Sequence, residues 1–385
     1  MPSPSAPLLL FAVTTDLCFD QRMQRICGSL TAAGYRVQLV GWQRPASPPL
    51  TAQPYIQHRL RGWFQHGKLF YVEYNLRLFI YLLTQQATAW CAADLDTALP
   101  VWLRARLGGQ PFGYDAHELF TEVPEVVARP AVQRVWRWVE AFIVPRARLA
   151  YTVGPALARV FAQRYGRPFG VVRNVSRLRA SEPLPPAPAA APPSGYILYQ
   201  GALNVGRGLE NLLAAMPQVA GRLVICGEGD LSAALRAQAE QLGLLASGQV
   251  EFRGFVLPEA LRDVTRHAAV GIMLLENIGL SYYYSLANKF FDYVHAGIPQ
   301  VLIDFPEYRA LNDQFDVAEL VADLAPTTLA AALNRLLRDE PARYQHLAEN
   351  CRRAAPQLSW QHEERELLRL WGAVVPMAAA AELLG

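Results

Sequence analysis

Short apolar runs alternate with amphipathic stretches along almost the whole chain. Leu8–Val13 is an unbroken apolar run of strand length, and Gln21–Ala33 follows with Met23, Ile26, Cys27 and Leu30 at helical spacing. Gly34 stops that helix, and Tyr35–Val40 alternates as a second strand. Strand, helix, glycine, strand opens a parallel α/β unit, because parallel neighbours need a crossover between them. Further helices are predicted at Leu69–Ala89, Ala98–Leu107 and Val132–Val144, and strands near Pro111–Tyr114 and Arg148–Val153.

A second series has the same rhythm. The strand-like runs Tyr196–Gly201, Leu223–Gly229, Val250–Phe255, Val270–Leu275 and Gln300–Phe305 are separated by helix-like segments beginning near Leu209, Leu231, Glu259 and Asn288. Between the two series, Ser176–Ser194 holds six prolines among alanines and sustains neither a helix nor a central strand, so it is predicted to be an extended linker. Residues 1–175 and 195–356 then form two Rossmann-like domains. A last helix within 357–385, with Ser359 as its N-cap and an apolar stripe of Leu367, Leu370, Trp371 and Val374, is expected to pack back on the first domain.

A chain of 385 residues with a 52% apolar and an 18% charged share can bury two cores and is not a disordered chain. The net charge of +3 comes from scattered arginines, which makes nucleic acid an unexpected partner. Cys18, Cys27, Cys91, Cys226 and Cys351 are odd in number, far apart and without metal-ligand spacing, as expected of a reduced cytoplasmic protein. Lys68 and Lys289 are the only lysines. Leu69–Leu83 is apolar nearly all round, carries Glu73 and Arg77 as an i,i+4 pair, and is too short to cross a bilayer. It reads either as core packing or as a surface in peripheral contact with a membrane.

The densest chemistry lies in Ser281–Val301, where Asn288, Lys289 and Asp292 sit on a helix that ends at Gly297 and gives way through Pro299 to a strand. This segment resembles the donor-nucleotide helix of retaining glycosyltransferases of group 1, family 4. The resemblance implies a GT-B fold, two tandem Rossmann-like domains facing each other across a cleft. It also implies transfer of a sugar from a nucleotide-diphosphate-sugar donor to a hydroxyl acceptor, a glycan or a lipid-linked glycan, with retention and without a metal or other cofactor. Residue by residue, the loop of Gly201, Gly206 and Gly208 is similar to the family's diphosphate loop. Ala202 stands there in place of one cation and Arg207 in place of the other, and Lys289 is the candidate substitute for the missing charge. Glu276 with Gly279 and Leu280 resembles the loop that contacts the donor sugar, and Asp292 the carboxylate that holds the ribose. Gly227, Gly229 and Gly254 resemble the turns around the base. His117, among Asp115, Glu118, Glu122 and Glu125, resembles the first-domain histidine that touches the donor sugar. The expected catalytic set is therefore His117, Glu276, Arg207 and Lys289. Gly201, Gly206, Gly227, Gly229, Gly254, Gly279, Leu280, Asn288 and Asp292 bind the donor.

Asp16, Asp20 and Arg22 follow the first strand, in a position to face an acceptor. Asp94-Leu95-Asp96 has the form that holds manganese in single-domain GT-A enzymes, but aspartate and threonine there also suit a helix beginning near Thr97, and capping is the expectation. A nucleotide-sugar epimerase of the same frame, or a non-catalytic subunit that only binds, are the alternatives.

Overall fold

The structure is a computed structural model in which residues 5–178 and 195–377 are described. Of the expected linker only Ser176–Leu178 falls among them; the proline-rich remainder lies outside the described residues. The chain divides into two compact units, Met1–Arg173 with Glu363–Gly385, and Asn174–His362.

The first unit is built on a seven-stranded sheet with strands β1 (Leu8–Ala12), β2 (Arg36–Trp42), β3 (Ile56–Leu60), β4 (Ala89–Ala93), β5 (Phe112–Ala116), β6 (Leu149–Thr152) and β7 (Gly170–Val171). The order is β3-β2-β1-β4-β5-β6-β7, and every pair is parallel. Its helices are α1 (Gln21–Ala32), α2 (Gly67–Leu83), α3 (Ala98–Gly108), the short α4 (Pro124–Val127), α5 (Pro130–Ile143) and α6 (Pro155–Tyr165). Progress across the sheet reverses after β3, so right-handed crossovers put α2, α3 and α5 on one face and α1 on the other.

The helix expected at 69–89 stops at Leu83, because the residues after Thr84 lead into β4, whose sequence AWCAA carries too little bulk to read as a strand. Strand β3, IQHRL, was not legible either. It is a half-exposed edge strand, and its polar residues never have to face a core. Helix α2 is more than core packing: Phe70, Tyr74, Leu78 and Leu82 are buried, while a second apolar stripe faces outward.

The second unit has a six-stranded parallel sheet of β8 (Tyr196–Gln200), β9 (Leu223–Cys226), β10 (Val250–Gly254), β11 (Ala268–Met273), β12 (Gln300–Ile303) and β13 (Ala318–Val321), in the order β10-β9-β8-β11-β12-β13. The helices are α7 (Leu209–Ala215), α8 (Ser232–Gln241), α9 (Pro258–Arg266), the one-turn α10 (Leu280–Tyr283), α11 (Asn288–Ala296), α12 (Pro306–Phe315), α13 (Pro326–Asn334) and α14 (Pro341–Ala354). Helix α11 is seated by buried Phe290, Phe291, Tyr293 and Val294, each worth roughly 1.5–3 kcal/mol of burial. The Tyr293 ring lies over Gly271 of β11, where a β-carbon would stand 2.4 Å from it, and its hydroxyl donates to the Leu198 carbonyl of β8 at 2.9 Å. Gly297 ends the helix in the left-handed region, φ 71°.

The last helix, α15 (Trp360–Gly372), runs from the second unit's final residues into the first unit's last segment. Trp371 meets Phe11 of β1 edge-on at 5.3 Å. Ser359 precedes the helix as expected, but its hydroxyl donates to the Pro356 carbonyl at 2.7 Å.

Candidate active site

In a doubly wound sheet ligands bind beyond the carboxyl ends of the strands, where helix N-termini and turns converge. In the second unit three glycine turns stack at those ends. Gly201 follows β8 and donates its N–H to Cys226 at 2.9 Å, and Gly227 follows β9 and donates to Gly254, the last residue of β10, at 2.7 Å. A β-carbon on Gly227 would stand 1.8 Å from the Gly201 carbonyl oxygen, so the two turns pack backbone on backbone. Gly229 closes against Asn204 and Leu203 in the same way. The path from Ala202 to Gly208 then returns over this platform, and the Glu276 N–H donates to the Gly206 carbonyl at 3.0 Å, joining it to the loop after β11.

Two cations sit here. Lys289, the second residue of α11, is half-buried, with Nζ 3.9 Å from the centre of the Tyr199 ring and directly above Gly201. Arg207 lies 5.0 Å from the centre of the Tyr282 ring, and its Nε is buried without a hydrogen-bond partner. Among the described residues neither side chain has an ion pair or hydrogen bond; each is held by an aromatic face. Burial, and after it the Arg207 charge, draws the Lys289 ammonium down to about 7, against the opposing pull of Asp292. Tyr282 belongs to the inserted stretch SYYYSLAN, which therefore has a structural purpose as a support for Arg207. Sequence reasoning did not foresee that support or the one from Tyr199, although a tyrosine-rich insertion beside a cation was a usable signal.

The other expected donor ligands fall around this pair. Gly279 and Leu280 open α10, and Asn288, exposed, opens α11. The Glu276 carboxylate is half-exposed and takes no hydrogen bond or ion pair among the described residues. Asp292 is less open than expected. Its carboxylate accepts from Gln200 Nε2 at 3.1 Å and from Ser176 Oγ at 3.2 Å, and Gln200 in turn accepts from buried Thr265 at 2.8 Å.

His117, in the first unit, has both ring nitrogens committed: Nδ1 is 3.1 Å from Asp94 and Nε2 3.2 Å from Asp115. Burial works against the charged ring, but Asp94 and Asp115 outweigh it and hold the imidazole well above the ordinary histidine value, as an imidazolium. Asp115 is fully buried and is itself gripped at both oxygens by Arg22, at 2.8 and 3.2 Å. Arg22 is thus an internal counter-ion, not an acceptor contact. Nor do its neighbours face outward: Asp16 is buried against Arg59 and the Cys18 N–H, and Asp20 caps α1 by accepting from the Met23 N–H at 3.0 Å.

The expected capping role of Asp94 also fails. Its backbone takes a left-handed φ of 62°, which turns the carboxylate onto the His117 N–H at 2.8 Å in place of the helix after it. Thr97 donates its hydroxyl to the Ala93 carbonyl at 3.1 Å and caps nothing. Asp96 is buried away from Asp94, accepts from Thr14 Oγ1 at 2.6 Å, and is pushed up to about 7 by burial and the nearby Asp94 charge.

The comparisons with known proteins bear on the second unit first: residues 194–339 match the family described as Glycosyl transferases group 1. Across the whole chain the fold is that of solved GT-B structures. Sucrose-phosphate synthase from Thermosynechococcus elongatus superposes with a TM-score of 0.75 at 18% identity, covering 96% of this chain and 99% of that one. HepE of Anabaena in complex with UDP-glucose gives 0.74 at 14% identity, with 95% and 100% covered. WaaG, a glycosyltransferase involved in lipopolysaccharide biosynthesis, gives 0.67 at 15%, with 94% and 100% covered. Among curated protein sequences none matches. The chain has the GT-B fold, and the greater part of its second unit matches the group 1 glycosyltransferase model.

Proposed function

We propose that the protein transfers a sugar from a nucleoside-diphosphate-sugar to a hydroxyl acceptor with retention of anomeric configuration, and that it does so without a metal ion. The observation that carries this reading is the Arg207–Lys289 pair, two partly buried cations at the strand ends of the domain that, among the described residues, form no direct ion pair with a carboxylate. Two positive charges in one place are costly unless an anion joins them, and a diphosphate supplies the matching charge. The binding of UDP-glucose by HepE is a property of that protein, and it supports the choice of donor class here.

In the reaction the C1–O bond to the diphosphate breaks first, and its electron pair stays on the leaving phosphate. The acceptor oxygen bonds to C1 from the same face, and the acceptor proton passes to a phosphate oxygen. Arg207 and Lys289 stabilise the charge that grows on the diphosphate, the kind of contribution whose loss costs on the order of 10²–10³ in rate elsewhere. Because the two cations do what a divalent ion would otherwise do, transfer needs none. Glu276, its carboxylate unengaged, meets the sugar hydroxyls, and the Gly201 and Gly227 turns allow close approach of the nucleotide. Asp292, which also accepts from Gln200 and Ser176, is the carboxylate that serves the ribose. In the first unit His117 is a fixed positive group and not a base, since both of its nitrogens donate to carboxylates.

The test is thermal stabilisation across UDP-, GDP- and ADP-sugars, with and without EDTA, followed by the anomeric configuration of the product by NMR. One nucleotide series should raise the melting temperature equally in EDTA, as a ligand of the native state must. Stabilisation that needs a divalent ion, or an inverted product, would overturn the corresponding part.

A further inference from the structure

Helix α2 has two apolar faces, and only one of them is used. Leu69, Val72, Leu76, Ile80 and Leu83 recur at three- and four-residue steps and are 58%, 66%, 59%, 56% and 51% exposed. At 1.5 Å per residue the stripe is about 20 Å long. A helix on the surface of a water-soluble fold is normally polar on that side, and an apolar patch of this extent marks a binding surface. We propose that this face lies on the surface of an anionic lipid bilayer, in the plane of the interface.

Charge selects this occupant. The same-face helices α2, α3 and α5 carry Lys68, Arg77, Arg104, Arg106, Arg134 and Arg137 against their own Glu73 and Glu140, and Arg137 is further paired with Glu122 at 3.1 Å. Glu140 is fully buried, and Glu73 is spent on Arg77 at 2.8 Å and on the Trp63 and Phe64 N–H groups. The three helices form one layer, tied by edge-to-face contacts of Tyr71 with Trp136 at 5.7 Å and Trp102 with Phe142 at 5.0 Å. The layer also exposes Trp63 (83%) and Trp138 (63%), a residue type suited to the boundary between lipid and water. Lys68, Arg106 and Arg134 have no ion pair among the described residues. A second copy seated on this face by a two-fold axis would bring these like charges together, whereas anionic headgroups neutralise them. No helix among the described residues is long and apolar enough to cross a membrane, which fits a helix lying flat.

The inference stands independently of the donor reading, and its test reads binding, not transfer. Sedimentation with vesicles of phosphatidylcholine, or of phosphatidylcholine with phosphatidylglycerol, should show the protein bound to the anionic vesicles and released by salt. Leu76→Glu with Ile80→Glu, both at exposed positions, should weaken that binding about tenfold or more, and Lys68→Glu with Arg134→Glu should do so in the anionic vesicles only. Unchanged melting temperature would show that both variants fold. Equal vesicle binding by wild type and the α2 variant would overturn the proposal. So would a wild-type dimer that the α2 variant converts to monomer in light scattering, because the face would then belong to a second copy of the chain.

Discussion

A lysine that lies over a tyrosine ring with no carboxylate partner is held at about 7, against an ordinary 10.5. The consequence for stability has a definite sign. Between those two values the unfolded chain binds a proton that the folded chain does not, so the Lys289 contribution makes stability rise with pH from about 7 toward 10.5. Below about 7 the full cost of the buried charge is in place. Lys289→Met should therefore raise the melting temperature near neutral pH and flatten its rise on the alkaline side, while weakening nucleoside-diphosphate binding. Calorimetric scans from pH 6 to pH 10 check this. A variant less stable than wild type at every pH would make Lys289 a packing residue. The identity of this residue was legible, because one of two lysines fell in the sharpest motif. Its lack of a partner was not, since no spacing in the sequence tells which carboxylates turn elsewhere. Asp94 makes the same point in reverse. Its sequence context reads as a cap, and only the left-handed backbone that turns it onto His117 shows otherwise.

At the scale of elements, the carboxyl ends of β8, β9 and β10 are held by glycine turns in backbone contact, and any side chain between them must move a strand. Gly227→Ala should cost about 2–4 kcal/mol, through overlap with the Gly201 carbonyl and a backbone conformation alanine resists. Gly28, inside α1 with nothing within 4 Å of a would-be β-carbon, is the control. Alanine there should stabilise by roughly 0.5–1 kcal/mol through helix propensity. Urea unfolding of both variants measures the contrast, and equal effects would contradict the stacked-turn description. The central strands β8, β9, β11 and β12 of the second unit were readable because they are buried along their whole length and their runs are largely apolar. The misses included the polar edge strand β3 and the alanine-rich β4, passed over after the helix expected to end at Ala89, and α6, α12, β13, α13 and α14 were left unassigned.

For the whole molecule, two series of alternating strands and helices were enough to give two Rossmann-like units, and the glycosyltransferase motifs gave the GT-B class. The strand orders were not legible, because order depends on which faces the crossovers choose and not on any single segment. The double-faced character of α2 was likewise hidden, since periodicity shows that a helix is apolar all round but not which side finds a partner. The central claim is that the group 1 domain receives a diphosphate between Arg207 and Lys289. Calorimetric titration of the stabilising nucleoside diphosphate into wild type and an Arg207→Ala/Lys289→Met variant tests it directly. Loss of two charge-assisted contacts should weaken binding on the order of a hundredfold or more, with the variant still folded. Wild-type affinity in the double variant would contradict the account.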